Sequence, residues 1–207
     1  MSEDVPGGAA LRARHSEIYS KAAAAYDAHR SGKFFERPWL ERLLEHVPKG
    51  GRVLDLGCGA GLPITGHLVE AGFTVTGLDF APGMLTIARE RLPDVTFIEA
   101  DMRTLDLGSR FHGIVGWDSF FHLTAEEQRA LIPRLAEHLE PGGVVLLTVG
   151  DKEGEVTGTV EGETVFHASL APSGYALAFE AAEMEVTEFV ARDAACDFHS
   201  VLLAVRR

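Results

Sequence analysis

Three aspartates lie in or directly after short apolar runs, in "VLDLGCGAG", "TVTGLDF" and "FIEADM". They are Asp55, Asp79 and Asp101. Asp55 comes just before a glycine-rich turn that contains Gly57, Cys58 and Gly59. Glycines permit a tight turn and let a ligand approach the backbone closely. Carboxylates accept hydrogen bonds from hydroxyl and amino groups, so this pattern predicts a ligand that carries such groups.

A dinucleotide is one ligand that binds a turn of this kind, but it fits this sequence poorly. Its fingerprint is G-x-G-x-x-G, whereas the turn reads G-x-G-x-G and has Leu62 where the last glycine belongs. The carboxylate of Asp55 would also repel a pyrophosphate, and it suits a ligand with an ammonium group instead.

The two later aspartates indicate the rest of this ligand. A carboxylate at Asp79 can accept hydrogen bonds from both hydroxyls of a ribose, and Asp101 can accept one from the exocyclic amine of a base. Phe80 and Met84 can close over the faces of a flat ring. An amine, a ribose and an adenine together describe an adenosyl amino acid.

The elements that must position these residues alternate between strand and helix. Strand-like runs cover residues 52–56, 73–78, 95–100, 113–117 and 144–149, and helical runs cover 62–71, 82–92 and 125–139. The alternation predicts an α/β fold with a doubly wound, mostly parallel sheet that helices cover on both faces. Beyond residue 150 the pattern predicts a hairpin, a helix at 172–182 and two strands at 184–191 and 198–205.

These residues resemble the motifs of the class I S-adenosylmethionine-dependent methyltransferases over roughly residues 37–150. The similarity lies in "VLDLGCGAG", "GLDFAPGML", "EADMRTL" and "LEPGGVVLL". It implies a seven-stranded Rossmann-like sheet with an antiparallel last strand, S-adenosylmethionine as cofactor and S-adenosylhomocysteine as product. It also implies that Asp55 and the turn at 57–59 lie near the methionyl part, Asp79 at the ribose, and Asp101 with Met102 at the adenine.

The segment "GWDSFFHLT" follows the fourth predicted strand, where this family usually contacts the methyl acceptor. Family members that methylate amines of DNA bases have Asn or Asp and two prolines here, whereas this chain reads Asp-Ser-Phe-Phe at 118–121. His122 is the candidate general base because histidine titrates near neutrality; alternatively, it only bonds neighbouring backbone. Trp117, Phe120 and Phe121 either line a pocket or belong to the core.

The N-terminal segment divides into an arm up to about residue 14, which we expect to be frayed, and an alanine-rich helix at 15–29. In similar small-molecule methyltransferases such a helix forms a lid that contacts the carboxylate of the cofactor. Tyr19 and Arg37 are the candidates for that contact. His167 is either a second pocket residue or a structural histidine.

The net charge of −12 disfavours nucleic acids and anionic membranes as partners. Two cysteines, Cys58 and Cys196, fit a reducing compartment. No signal-peptide pattern or apolar run of the ~20 residues that span a bilayer is found, so we expect a cytoplasmic protein. Cys196 and His199 have no further ligands near them in sequence, and we predict no metal.

We predict one methyltransferase domain over residues 1–207, with an arm and lid helix at 1–36, a cofactor-binding core at 37–150 and a closing hairpin, helix and strands at 151–207. The expected activity is methylation of a small-molecule acceptor on oxygen or nitrogen. Two alternatives stay open: methylation of a protein side chain, and binding of S-adenosylmethionine without turnover.

Overall fold

The computed structural model describes residue 5 and residues 7–207. Its strands are β1 (Arg52–Leu56), β2 (Thr74–Asp79), β3 (Thr96–Glu99), β4 (Phe111–Gly116), β5 (Leu139–Val149), β6 (Gly154–Val160), β7 (Glu163–Ser169), β8 (Met184–Asp193) and β9 (His199–Arg206). Seven of them form one sheet in the order β3-β2-β1-β4-β5-β9-β8, and β6 and β7 form a separate hairpin. Strands β1 to β5 pair in parallel, whereas β9 is antiparallel to β5 and β8. The predicted fold class is confirmed, including the antiparallel last strand.

The helices are α1 (Gly8–Arg30), α2 (Arg37–Glu45), α3 (Ile64–Glu70), α4 (Pro82–Arg91), α5 (Ala125–Glu137) and α6 (Pro172–Ala181). Proline stands in the first turn of α2, α4 and α6, where its missing N–H costs no helical hydrogen bond. Thr124 and Glu127 form a capping box at the start of α5. None of the helices in the described part of the chain is long and apolar enough to cross a membrane.

The sheet separates two apolar layers. Leu54 of β1 packs in the layer that contains Leu131 of α5 and Phe179 of α6. Its neighbour Val53 packs in the opposite layer, with Leu43 of α2 and other residues. Successive strand residues point to opposite faces, which is why a strand buried on both sides reads as a continuous apolar run.

Helix α1 begins at Gly8, so the prediction of a frayed arm is wrong for residues 8–14. Residues 1–4 and 6 of that predicted arm lie outside the described residues. The helix starts early because tertiary contacts support it. A side chain at Gly8 would press on the ring of Phe166 in β7, and Arg12 forms an ion pair with Glu127 at 2.9 Å.

The same helix also packs on α4, beside the glycine-rich turn. Gly83 lies so close that a Cβ there would come within 2.4 Å of the Ser20 carbonyl oxygen. Arg91 at the end of α4 donates two hydrogen bonds to the carboxylate of Asp27, at 2.7 and 2.8 Å, and a third to the Ala60 carbonyl at 3.2 Å. One guanidinium therefore joins α1, α4 and the turn.

The strand order reverses between β1 and β4, and in an open α/β sheet such a reversal opens a crevice at the carboxyl edge. The ends of β1, β2 and β4 meet there. Helix α1 crosses above this crevice, and its residues His15, Tyr19 and Tyr26 form part of the wall.

Candidate active site

The turn after β1 is fastened to β2 by its backbone. The N–H groups of Gly57 and Cys58 both donate to the Leu78 carbonyl, at 2.7 and 3.0 Å. Gly57 has φ +83°, and a Cβ there would lie 2.3 Å from the Cβ of Ser119. Only glycine fits this position, and its bare backbone forms part of the crevice wall.

Asp79 is buried at the end of β2, and both of its carboxylate oxygens are engaged. Oδ2 accepts from the N–H of Gly59 and Oδ1 from the N–H of Ala81, each at 2.8 Å. Burial raises the pKa of Asp79, although these two N–H groups act against it. Each oxygen keeps a further lone pair that can accept a hydroxyl, so the carboxylate suits a ribose diol.

Asp55 is fully buried at the other side of the turn. Thr65 at the start of α3 donates its hydroxyl to Oδ2 at 2.5 Å. Burial raises the pKa of Asp55 to about 7, and the charge of Asp79 adds to this rise. A ligand ammonium group nearby would favour the ionised carboxylate.

Asp101 follows β3 and binds the side chain of Arg103, whose Nε donates to Oδ2 at 2.8 Å. Burial acts to raise the pKa of Asp101, but the hydrogen bonds from Arg103 outweigh it and the net pKa is lowered. The carboxylate is therefore ionised and can accept from a further amino group. Met102, Phe80 and Met84 line the cavity together with it.

Two adjoining cavities bring the predicted residues together. The larger encloses about 790 Å³, its open mouth included, and is bordered by Tyr19, Gly57, Gly59, Asp79, Phe80, Met84, Asp101, Met102, Trp117 and His122. The smaller is bordered by Asp55, Cys58, Arg30 and Asp118, among others. The two share the wall formed by Tyr26, Gly57, Gly59, Trp117 and Asp118.

His122 is held by two partners that fix its tautomer. Its Nδ1 lies 3.1 Å from the Phe166 carbonyl, which can only accept, so Nδ1 carries the hydrogen. Nε2 then accepts from the Tyr19 hydroxyl at 2.8 Å. Burial, helped by the neighbouring His167, lowers the pKa of His122 to about 3. The expectation that His122 titrates near neutrality is wrong because the ring is buried.

Two further imidazoles pack on His122. The ring centroids of His15 and His167 lie 4.8 and 4.9 Å from it. Burial lowers the pKa of His15 to about 4 and also lowers that of His167, so all three rings are neutral at neutral pH. The ring of Phe121 lies 4.6 Å from that of His167 at an interplanar angle of 59°, and Phe120 lies in the core. Within the described residues no group of three or more His, Cys, Asp or Glu side chains could hold a metal ion.

Arg37 does not reach either cavity, so the structure does not support its predicted contact with the cofactor. It begins α2 on the solvent side, and its Nε donates to Glu41 at 2.9 Å. Arg30, the last residue of α1, borders the smaller cavity instead and pairs with the buried Glu36. Arg30 directly follows the helix predicted at 15–29, and this position could have identified it as a residue of the cleft.

Trp117 borders both cavities and carries an unsatisfied donor. Its indole Nε1 is buried and has no hydrogen-bond partner among the described residues. The indole ring of Trp117 therefore lines the cavities, whereas its N–H is shielded from them. Along the cleft, Asp101 and Met102 come first, followed by Asp79, the turn and Asp55. This order matches an adenosyl amino acid read from its adenine through its ribose to its ammonium group.

Asp118 was not predicted as a site residue, yet it stands where the two cavities meet. It has φ +52°, and its N–H is fixed by the Thr148 hydroxyl at 2.8 Å. Its Oδ1 bonds His199 Nε2 at 2.8 Å. Backbone strain of this kind is often found at functional sites.

Comparison with known proteins supports the match between this cleft and the ligand. The family model described as a methyltransferase domain matches residues 53–143. The chain shares the fold and, over residues 53–143, the methyltransferase domain of the class I S-adenosylmethionine-dependent methyltransferases. In the solved structures, it is similar to an amino pentose methyltransferase from Micromonospora echinaspora with S-adenosylmethionine bound, at a TM-score of 0.69 and 26% identity, over 89% of this chain and 95% of that one.

Among curated family members, the chain is 43% identical over 103 residues to a dTDP-3-amino-3,4,6-trideoxy-alpha-D-glucopyranose N,N-dimethyltransferase of Streptomyces venezuelae, over 49% of this chain and 43% of that protein. It is 34% identical over 165 residues to a trans-aconitate 2-methyltransferase of Methylobacterium nodulans, over 72% of this chain and 60% of that protein. The chain thus spans less than two thirds of the length of these relatives.

Proposed function

We propose that this chain transfers the methyl group of S-adenosylmethionine to a small-molecule acceptor, on nitrogen or oxygen. One observation carries the proposal: a single cleft offers partners for an adenine, a ribose and an amino acid in that order, and a tyrosine–histidine pair borders the same cleft. S-adenosylmethionine supplies a methyl group bound to a positively charged sulfur. The residues of the chain then need to hold the two reactants in line.

In this proposal Asp79 binds the ribose hydroxyls, and Asp101 with Met102 binds the adenine. Asp55 and the turn hold the amino acid end, with Arg30 near its carboxylate. Helix α1 closes over the reactants and excludes water.

Amino sugars are the first acceptors to test. Two relatives are N,N-dimethyltransferases of dTDP-linked amino sugars, and a similar solved structure is an amino pentose methyltransferase. The cleft under α1 supports a small acceptor over a protein side chain. The net charge of −12 argues against nucleic acid as the acceptor.

The proposal also includes a single methyltransferase domain over residues 1–207 and action in the cytoplasm.

The direct test incubates the protein with methyl-labelled S-adenosylmethionine and a panel of amino sugars, other amines and hydroxylated small molecules. We expect label in a product one methyl group heavier than its acceptor. Binding of S-adenosylhomocysteine without transfer to any acceptor, including cell extract, would instead favour a binding protein without turnover.

Asp79→Ala tests the cofactor assignment. The substitution removes two hydrogen bonds to ribose hydroxyls, together worth about 2–4 kcal/mol, so S-adenosylhomocysteine should bind at least tenfold more weakly by titration calorimetry. Asp94→Asn, an exposed change before β3, is the matched control and should bind as wild type does. Unchanged affinity in Asp79→Ala would contradict the assignment.

A further inference from the structure

The position of Asp118 singles it out within the cleft. It belongs to the wall shared by the two cavities, with Tyr26, Gly57 and Trp117. If the adenosyl part occupies the cavity at Asp79 and the amino acid part the cavity at Asp55, the sulfur that joins them lies at this shared wall. Asp118 therefore faces the point at which the methyl group would pass from sulfur to the acceptor.

The carboxylate of Asp118 is held on one side only. Its Oδ1 bonds His199 Nε2 at 2.8 Å, and His199 Nδ1 lies 2.7 Å from the Cys196 carbonyl. Both partners of the ring are acceptors, so the imidazole carries two hydrogens and a positive charge when Asp118 is ionised. Oδ2 lies 3.9 Å from Arg30 Nε, too far for a hydrogen bond, and has no hydrogen-bond partner among the described residues.

The surroundings keep this carboxylate in place. The ring of Phe35 stacks on His199 at 5.2 Å, and the Asp118 backbone is fixed by Thr148 of β5. His199 and Arg30 lie on one side of the Asp118 carboxylate, and the uncharged side chains of Tyr19 and His122 border the same cleft. A carboxylate oxygen with free lone pairs at this point is an acceptor for an N–H group.

We propose that Asp118 binds the nitrogen of the acceptor and makes this site selective for amines over hydroxyls. The inference rests on the proposed methyl transfer. In that transfer the lone pair of a neutral amine forms the new N–C bond, the C–S bond breaks with its electrons left on sulfur, and the positive charge moves from sulfur to nitrogen. A carboxylate beside the nitrogen stabilises this charge in the transition state. The resulting ammonium then loses its extra proton to solvent.

Two cofactor analogues test this without a known acceptor. Sinefungin has an amine-bearing carbon in place of the methylated sulfur, whereas S-adenosylhomocysteine has a sulfur without the methyl group, and both share the adenosine and amino acid ends. Wild type should bind sinefungin about tenfold more tightly than S-adenosylhomocysteine, the effect of one charge-assisted hydrogen bond. In Asp118→Asn this preference should fall below twofold, while the affinity for S-adenosylhomocysteine stays within about twofold of wild type.

Asn is the best substitute because it has the same shape and tolerates a positive φ. Asp94→Asn is the charge-matched control and should keep the sinefungin preference. If both analogues lose affinity equally in Asp118→Asn, Asp118 binds the amino acid end and the inference is wrong. If the preference is unchanged, it is also wrong. If neither analogue binds wild type, the proposed function itself fails.

Discussion

At the level of single residues, the pair formed by Tyr19 and His122 determines how a proton could move in the cleft. His122 is neutral, and its free lone pair is already taken up by the Tyr19 hydroxyl. A group with a pKa near 3 is a weak base, so we expect His122 to act by holding Tyr19 rather than by taking a proton from the acceptor. The tyrosine oxygen then keeps lone pairs, and Tyr19 borders the cavity in which we propose that the reactants lie.

Tyr19→Phe and His122→Ala should therefore lower kcat by similar factors, about 10–100-fold each, as expected for one lost hydrogen bond in a closed site. The double variant should be no worse than the worse single one, because each change breaks the same contact. The pH–rate profile should lose no limb between pH 5 and 8 in His122→Ala. A wild-type limb in this range that disappears with His122 would restore its role as a base.

Residue types at strand ends were enough to predict which carboxylates meet at the cleft. Asp55, Asp79 and Asp101 are recognisable because a parallel sheet must bring its carboxyl ends to one edge. Arg30 and Asp118 were not predicted, since their roles depend on long-range packing. Arg30 reaches the cleft only through the course of α1, and Asp118 is defined by His199, which lies 81 residues later in the chain.

Among the elements, α1 covers the cleft. It contributes Arg12, His15, Tyr19 and Tyr26 to the wall of the larger cavity. Its buried apolar contacts involve few large side chains: Ile18 packs with Val160 and Val165 of the hairpin, and Ala23 packs with small residues and Met84 of α4. A helix held by few large apolar side chains opens at low free-energy cost.

Hydrogen exchange should show this opening. Amides between residues 15 and 30 should exchange fast in the free protein and slow down when S-adenosylhomocysteine is bound, because the ligand adds contacts to Tyr19 and Tyr26. Helix α5, which is capped and packed in the core, is the internal control and should be protected in both states. Equal protection of α1 with and without ligand would make it a fixed structural helix.

At the scale of the whole molecule, a ligand that bridges the strand ends and α1 should stabilise the native state as a unit. At 100 times its dissociation constant, S-adenosylhomocysteine adds about 2.7 kcal/mol. For a chain of this length we expect the melting temperature to rise by roughly 5–10 °C. NAD at the same concentration is the comparison in scanning calorimetry, and an equal rise with NAD would contradict a preference for the adenosyl amino acid.

The overall architecture could be predicted because it depends on local periodicity. Strand β1 was predicted at its observed bounds, and the other strands of the sheet within a few residues, apart from the longer start of β5. The exception at the N-terminus has a physical cause: residues 8–14 are helical through contacts with β7 and α5, which local propensity does not contain.

The guanidinium of Arg91 links α1 to the glycine-rich turn through Asp27 and the Ala60 carbonyl. Arg91 thus steadies both the turn, where we propose that the cofactor binds, and the helix that covers it. If the spent cofactor leaves by displacement of α1, the Asp27 contacts must break first, and release of the cofactor rather than the chemical step would limit repeated turnover. Product would then form in a burst during the first turnover and more slowly afterwards. Added salt, which weakens ion pairs, would raise the rate of the later turnovers.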